Sequence, residues 1–155
     1  MKFETQNHFV PKDPNFLNRV TESFALQSIM STIGASLTSC EPGHVQITLP
    51  YDPKLCQQHG FIHGGIVATI LDSACGYAAF SLMPEDAEVL SIEFKTNLLA
   101  PAKGDAFHAI GKVVKSGRTI SVAEASLYAV DNEQQKIIAT MHCTLMSVYH
   151  HQPKG

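Results

Sequence analysis

The segment from His63 to Leu82 constrains the fold more than any other part of the chain, because it is long, apolar and nearly uncharged. At 100° per residue, its apolar side chains cover almost the whole circumference of a helix. A helix of this kind has to be enclosed by other elements, since a helix on a surface keeps one polar face. Pro84 predicts where this helix ends. Asp72 is its one charged side chain.

Alternation of apolar and polar residues predicts the elements that enclose the helix. The predicted strands are 35–39, 44–50, 88–99, 105–115, 119–130 and 136–149. Short turns separate the last four strands, which are therefore predicted to form an antiparallel meander. The sequence favours an α+β fold, in which a curved sheet of about six antiparallel strands wraps around one long central helix.

A further helix is predicted before the first strand, over residues 14–30. Phe16, Val20 and Phe24 recur at every fourth position, which is the spacing of one helix face. Asp13-Pro14 is typical of an N-cap residue followed by proline at the first helical position. This N-terminal helix is expected to lie on the body of the domain.

Size, charge and cysteine content limit the classes of function. A chain of 155 residues suits a single domain, 1–155. The net charge of −3 gives no general attraction to nucleic acid or to an anionic membrane. The four cysteines form no CxxC pair and are interpreted as reduced thiols in a cytoplasmic protein. No apolar run has the length of a membrane helix, residues 1–8 lack the apolar region of a signal peptide, and residues 150–155 are interpreted as a frayed polar tail.

Asp72 lies on the one face of the central helix that is not apolar. The residues within about 60° of it around the helix are all small, namely Gly65, Ala68, Thr69, Cys75, Gly76 and Ala79. A carboxylate ringed by small residues has space beside it for a ligand or for a neighbouring backbone. Two interpretations remain open, a functional carboxylate in a cleft and a structural one that is hydrogen-bonded in the core or across a subunit contact.

The start of the central helix is rich in glycine, over the segment Gly60-Phe61-Ile62-His63-Gly64-Gly65. Unpaired N–H groups and the positive end of the helix dipole can bind an anion there, or polarise a carbonyl group. Asp72 follows His63 by nine residues, or two and a half turns, so the two cannot meet within one helix. A site that uses both features is easiest to build from two chains.

A longer motif surrounds these features and reads Gln57-x-x-Gly60-x-x-His63-Gly64-Gly65, followed by Asp72. It resembles the hotdog-fold acyl-CoA thioesterases, especially the PaaI-like branch related to phenylacetate degradation. The segments 101–104 and 115–119 also resemble that family's sheet, and the resemblance covers about 26–148. It implies a hotdog fold, a dimer formed by a continuous sheet and often doubled into a tetramer, and active sites at the dimer interface.

The resemblance also implies roles for individual residues. Asp72 would act as general base on water or as nucleophile on the thioester, and the Gly65 N–H of the partner would polarise the carbonyl. Gln57 stands where many relatives carry Asn, and would orient the water or the carbonyl. Ser91 aligns with a Ser or Thr that helps hold the attacking water in some relatives.

Four further residues are candidates for the site. His63 and Gly64 belong to the helix start, where the His63 side chain is expected to fix the loop rather than to perform chemistry. Lys115 and Arg118 flank a hairpin turn, where they could meet the phosphates of CoA or simply be solvated. His59 and His63 have the spacing of metal ligands on a helix, but the intervening glycines argue against a regular helix there. Cys75 has no evident basic partner and is interpreted as a packing residue.

The predicted function is therefore hydrolysis of an acyl-CoA or a related pantetheine thioester. No metal or redox cofactor is implied, because a thioester is electrophilic enough to react with an activated water. A hotdog module that binds acyl-CoA without turnover is the first alternative. A hotdog hydratase or dehydratase is the second and ranks lowest, because that chemistry normally needs a His and a carboxylate acting as a pair.

Overall fold

Six antiparallel strands form one sheet around the central helix in the computed structural model, which describes residues 9–132 and 134–149. The helices are α1 (Phe16–Leu26), α2 (Ser28–Ile33) and α3 (Gly64–Phe80). The strands are β1 (Ser36–Glu41), β2 (His44–Pro50), β3 (Ala87–Leu98), β4 (Ala106–Lys115), β5 (Ile120–Asp131) and β6 (Gln134–Tyr149). The α+β hotdog prediction is confirmed. The expectations for residues 1–8 and 150–155 lie outside the described residues, within which no helix is long and apolar enough to cross a membrane.

The strand order is β1-β2-β4-β5-β6-β3, which differs from the predicted meander in one respect. Strands β4, β5 and β6 do follow one another, but β3 pairs with β6 at the edge of the sheet. The prediction of a four-strand meander is therefore wrong for β3. The connection 99–105 is long enough to cross three strand spacings of about 4.8 Å each, so its length alone could not identify a hairpin.

The predicted helix over 14–30 is two helices, and the prediction of one continuous helix is wrong. The break is at Gln27, whose backbone is extended, with φ −77° and ψ 92°. Asp13 is also not the N-cap, since α1 begins at Phe16 and the Asp13 carboxylate accepts the N–H of Asn15 at 2.8 Å in the preceding turn. Gln is a good helix former, so the sequence carries no signal for the break.

Hydrogen bonds from Arg19 link α1 to the C-terminal end of α3. Its guanidinium donates at 2.7–3.2 Å to four backbone carbonyls, those of Phe80, Met83, Pro84 and Ala87. It also lies 4.3 Å from the centre of the Phe80 ring and forms an ion pair with Asp13 at 3.0 Å. The last carbonyls of a helix have no intrahelical partner, and a cation there also complements the helix dipole. One side chain of α1 therefore binds the C-terminal end of α3 and the segment that follows it.

Helix α3 packs directly onto the inner face of the sheet, and the closest approach is at Gly111 on β4. Gly111 is buried, and a Cβ at this position would overlap the Ala74 carbonyl and lie 3.0 Å from the backbone nitrogen of Cys75. These are rigid backbone atoms of the helix, so a side chain could be accommodated only by moving α3 away from the sheet. Glycine at 111 thus sets the distance between helix and sheet.

We expect Gly111→Ala to lower the free energy of unfolding by about 1–3 kcal/mol, because overpacking forces backbone shifts. Gly76→Ala is the matched control. A Cβ at Gly76 would meet its nearest neighbour, the Leu145 side chain, at 3.9 Å, which is an ordinary contact. Urea unfolding of both variants measures the difference. Equal stability of Gly111→Ala and the wild type would contradict the close approach.

Candidate active site

Asp72 projects from α3 towards β3 and is half-buried. The Ser91 hydroxyl donates to Asp72 Oδ1 at 2.6 Å, so the structure brings these two predicted site residues together. Ser91 lies beside an irregularity in the β3–β6 register, between Ser91 and Glu93. Such irregularities re-aim side chains at sheet edges and beside functional sites. The hydroxyl engages one carboxylate oxygen and leaves Oδ2 for a ligand or water.

Cys143 is also part of this cluster, although its sequence context did not predict this. Its buried thiol, on β6, lies 3.9 Å from both Asp72 Oδ1 and Ser91 Oγ. A hydrogen bond from Cys75 lowers the pKa of Cys143, and the same bond, together with burial, raises the pKa of Cys75. Cys75 is therefore held as a protonated thiol, in accord with its interpretation as a packing residue. Only the β3–β6 pairing brings Cys143 here, and no local pattern indicated it.

A cleft of about 290 Å³ opens beside Asp72, between α1, α3 and the first half of β3. Its lining is largely polar and includes Ser23, Gln27, Ser73, Tyr77 and Glu88. Ser73 Oγ donates to Gln27 Oε1 at 3.3 Å, and the hydroxyls of Ser23 and Tyr77 are 3.4 Å apart. Burial raises the pKa of Tyr77, which keeps its hydroxyl protonated. The Asp72 carboxylate thus faces a small cleft whose lining carries hydroxyl and amide groups.

The N-terminal end of α3 lies away from Asp72, and His63 is its N-cap. Its Nδ1 accepts the Gly65 N–H at 2.9 Å, and its backbone carbonyl accepts the N–H groups of Ile66 and Val67. The Gly64 N–H, in contrast, donates to no group among the described residues. The first N–H of the helix is therefore the one open to a ligand, and the His63 side chain fixes the loop as expected.

Gly64 forms part of the wall of an apolar groove of about 520 Å³. The groove also contains Phe61, Val67, Leu98 and Ile138, and Gln57 adds a polar side chain to this lining. The Gln57 amide oxygen accepts the His59 N–H, which leaves its NH₂ group as a donor. The structure therefore brings Gln57 and Gly64 together at one groove.

The predicted site residues thus form two separate groups on one chain. Gln57 and Gly64 line the apolar groove, and Asp72 and Ser91 line the polar cleft. Asp72 is eight positions after Gly64, which corresponds to about 12 Å of helix rise. A single carbonyl group cannot contact both of them within one subunit. Lys115 and Arg118 line neither cavity. They are exposed at the β4–β5 turn, which is attached to β6 by the Ser147 N–H to Thr119 carbonyl bond of 2.8 Å.

Comparisons with known proteins agree with this architecture. The family model described as Thioesterase superfamily matches residues 59–136. A thioesterase family protein from Silicibacter pomeroyi is 52% identical, with a TM-score of 0.85 over 86% of this chain and 98% of that protein. The Escherichia coli PaaI protein, from the phenylacetic acid degradation operon, shares the fold at a TM-score of 0.78 and 19% identity, over 88% of this chain and 96% of that protein. A medium/long-chain acyl-CoA thioesterase of E. coli is 25% identical over 74% of this chain and 81% of the relative.

We expect His63→Ala to lower the free energy of unfolding by about 0.5–2 kcal/mol, because the Gly65 N–H loses its capping acceptor. His63→Asn should retain most of the stability, since Asn is among the best N-cap residues. His59→Ala serves as the matched control outside the cap. Thermal and urea unfolding would measure all three variants. A His63→Ala protein as stable as His59→Ala would argue against the cap.

Proposed function

Because the chain belongs to the thioesterase superfamily, we propose that it hydrolyses thioesters of CoA or a related pantetheine carrier. Water adds to the carbonyl carbon, the carbon–sulfur bond breaks, and the thiol leaves with a proton while the acyl group leaves as a carboxylic acid. The observation that carries this proposal is the Asp72 carboxylate, positioned by Ser91 at the wall of a cleft.

Asp72 supplies the base or the nucleophile. As a general base, its Oδ2 would take the proton of a water that attacks the carbonyl carbon. As a nucleophile, it would form an acyl-enzyme anhydride that water then hydrolyses. In both cases the Ser91 hydroxyl, bonded to Oδ1, keeps the carboxylate turned towards the cleft. The same hydroxyl is well placed to hold the attacking water.

The start of α3 supplies the group that polarises the carbonyl. We assign this role to the Gly64 N–H, because the Gly65 N–H is engaged by His63 Nδ1. The carbonyl oxygen gains negative charge during attack, and the first N–H of a helix, at the positive end of its dipole, stabilises that charge. The Gln57 NH₂ lies at the same groove as a second donor.

A second copy of the chain would complete the site. β3 is a twelve-residue strand at the sheet edge, and its Leu90, Ile92 and Phe94 side chains are 47–56% exposed. A long apolar edge of this kind favours pairing with another strand. Antiparallel pairing of two β3 strands about a two-fold axis reverses one α3 relative to the other. This arrangement supports a site that combines Asp72 of one subunit with Gly64 of the other.

The phosphates of CoA would bind at the surface, near Lys115 and Arg118. Lys115 and Arg118 are exposed at the turn between β4 and β5. The β5 residue that follows this turn, Ile120, pairs with Met146 on β6, which in turn pairs with Leu90 on β3. The turn is thus at the same end of the sheet as the Asp72 cleft, about two strand spacings, or 10 Å, from β3. We propose that these two cations attract the nucleotide end of the substrate.

We expect Asp72→Asn to lower kcat by about 10²–10⁴, with a smaller effect on KM, because the amide cannot accept a proton or attack the carbonyl. Asp86→Asn, at an exposed position outside the cleft, is the matched control. Release of free thiol from a panel of short, medium, long and aromatic acyl-CoAs provides the assay. A folded Asp72→Asn protein with wild-type kcat would overturn the mechanism.

Single-turnover hydrolysis in ¹⁸O water tests the nucleophilic role of Asp72. If Asp72 forms an anhydride and water attacks the Asp72 carbonyl carbon, one solvent oxygen stays in Asp72, which mass spectrometry of the protein detects. In general-base catalysis the solvent oxygen appears in the released acid, and the protein carries no label. Binding of acyl-CoA by wild type without any thiol release would instead favour the non-catalytic alternative.

We also expect two inactive variants, Asp72→Asn and Gly64→Val, to complement each other after unfolding and refolding together. Half of the dimers from an equal mixture are mixed, and each carries one intact site out of two, so roughly a quarter of wild-type activity should return. The separately refolded variants are the control. A mixture that stays inactive, although mixed dimers form, would contradict a two-subunit site.

A further inference from the structure

We propose that Gln27 sets the upper limit on the length of the acyl group, by closing the cleft beside Asp72. This inference rests on the proposed function, because it assumes that the acyl group of a thioester enters that cleft. A second cavity, an apolar groove of about 490 Å³, lies between α1, α2 and β1. Leu17, Phe24, Met30 and Leu37 contribute to its lining.

Among the described residues, Gln27 is the one that lines both the cleft and this groove. Its backbone is extended at the break between α1 and α2, and its N–H donates to the Phe24 carbonyl at 3.1 Å. Its side chain reaches across to α3, where Oε1 accepts the Ser73 hydroxyl at 3.3 Å. The amide therefore forms a partition between a polar cleft and an apolar groove.

The charge of the cleft indicates which end of the substrate approaches this partition. Asp72 and Glu88 both line the cleft, and no Lys or Arg of the part of the chain that the structure describes does so. These carboxylates would repel the phosphates of CoA, so the nucleotide end of a bound substrate would point out of the cleft, into solvent. The acyl group is thus the end that points at Gln27.

A short acyl group fits in front of Gln27, whereas a longer one would meet its amide. Displacing the amide breaks the bond to Ser73 and leaves buried polar atoms against a hydrocarbon, which is unfavourable. Removing the side chain would join the cleft to the groove and expose an apolar wall to the chain end. Each further methylene buried there adds about 0.8 kcal/mol, or roughly a fourfold gain in kcat/KM.

The test measures kcat/KM for a series of saturated acyl-CoAs from butanoyl to tetradecanoyl. We expect kcat/KM of the wild type to fall once the acyl group exceeds a limiting length. Gln27→Ala should raise the ratio of kcat/KM for dodecanoyl-CoA to that for hexanoyl-CoA by about tenfold or more. Gln27→Met keeps most of the bulk but loses the bond to Ser73, so it should raise the ratio less than Gln27→Ala does. Gln46→Ala, the same substitution outside both cavities, should leave the ratio unchanged.

The inference and the proposed function fail in different ways. If wild type hydrolyses no acyl-CoA, the proposed function is wrong, and the inference falls with it. If wild type hydrolyses short substrates and a folded, active Gln27→Ala keeps the wild-type length profile, the inference alone is overturned. Should Gln27→Ala not fold, Gln27→Asn shortens the side chain by one methylene and should shift the limit towards longer chains. An unchanged limit in Gln27→Asn would then overturn the inference.

Discussion

The contact between Gly111 and the backbone of α3 determines the depth at which the central helix lies in the sheet. The contacts around Asp72 depend on that depth. It brings α3 near enough to β3 for Ser91 to reach Asp72, and near enough to β6 for Cys143 to lie against both. An apolar helix enclosed in this way can carry a single carboxylate only where the enclosure is incomplete, on its small-residue face.

Helix α3 carries two groups of the proposed site at different points along its length. Its N-terminus offers an open N–H at Gly64, and its middle carries Asp72. These two properties have opposite electrostatic character, since one stabilises negative charge and the other provides it. Their separation of about 12 Å prevents them from neutralising each other within one chain, and two-fold symmetry would allow each helix to act on the substrate held by the other.

Local chemistry made much of the fold predictable. The apolar run before Pro84 predicted α3, and alternation predicted every strand to within a few residues. The position of β3 in the sheet was not predictable, because β3 could pair with the edge strand at either side of the sheet and the sequence does not indicate which pairing is more stable. The break at Gln27 and the contact of Cys143 with Asp72 are likewise set by tertiary packing. At the helix start the motif predicted a candidate segment, but the rotamer of His63 determines which N–H is occupied, and a sequence does not record a rotamer.

The position of β3 has a consequence for how the site assembles during synthesis. Within the described residues, β3 has one neighbour in the sheet, β6, and that strand is the last to be made. Until β6 emerges from the ribosome, β3 has two open edges and an apolar surface, which is the condition under which strands pair wrongly. Ser91 therefore reaches its final place late. Other strands of the nascent chain can enclose much of α3 before Ser91 and Asp72, the pair on which activity is proposed to rest, come into contact.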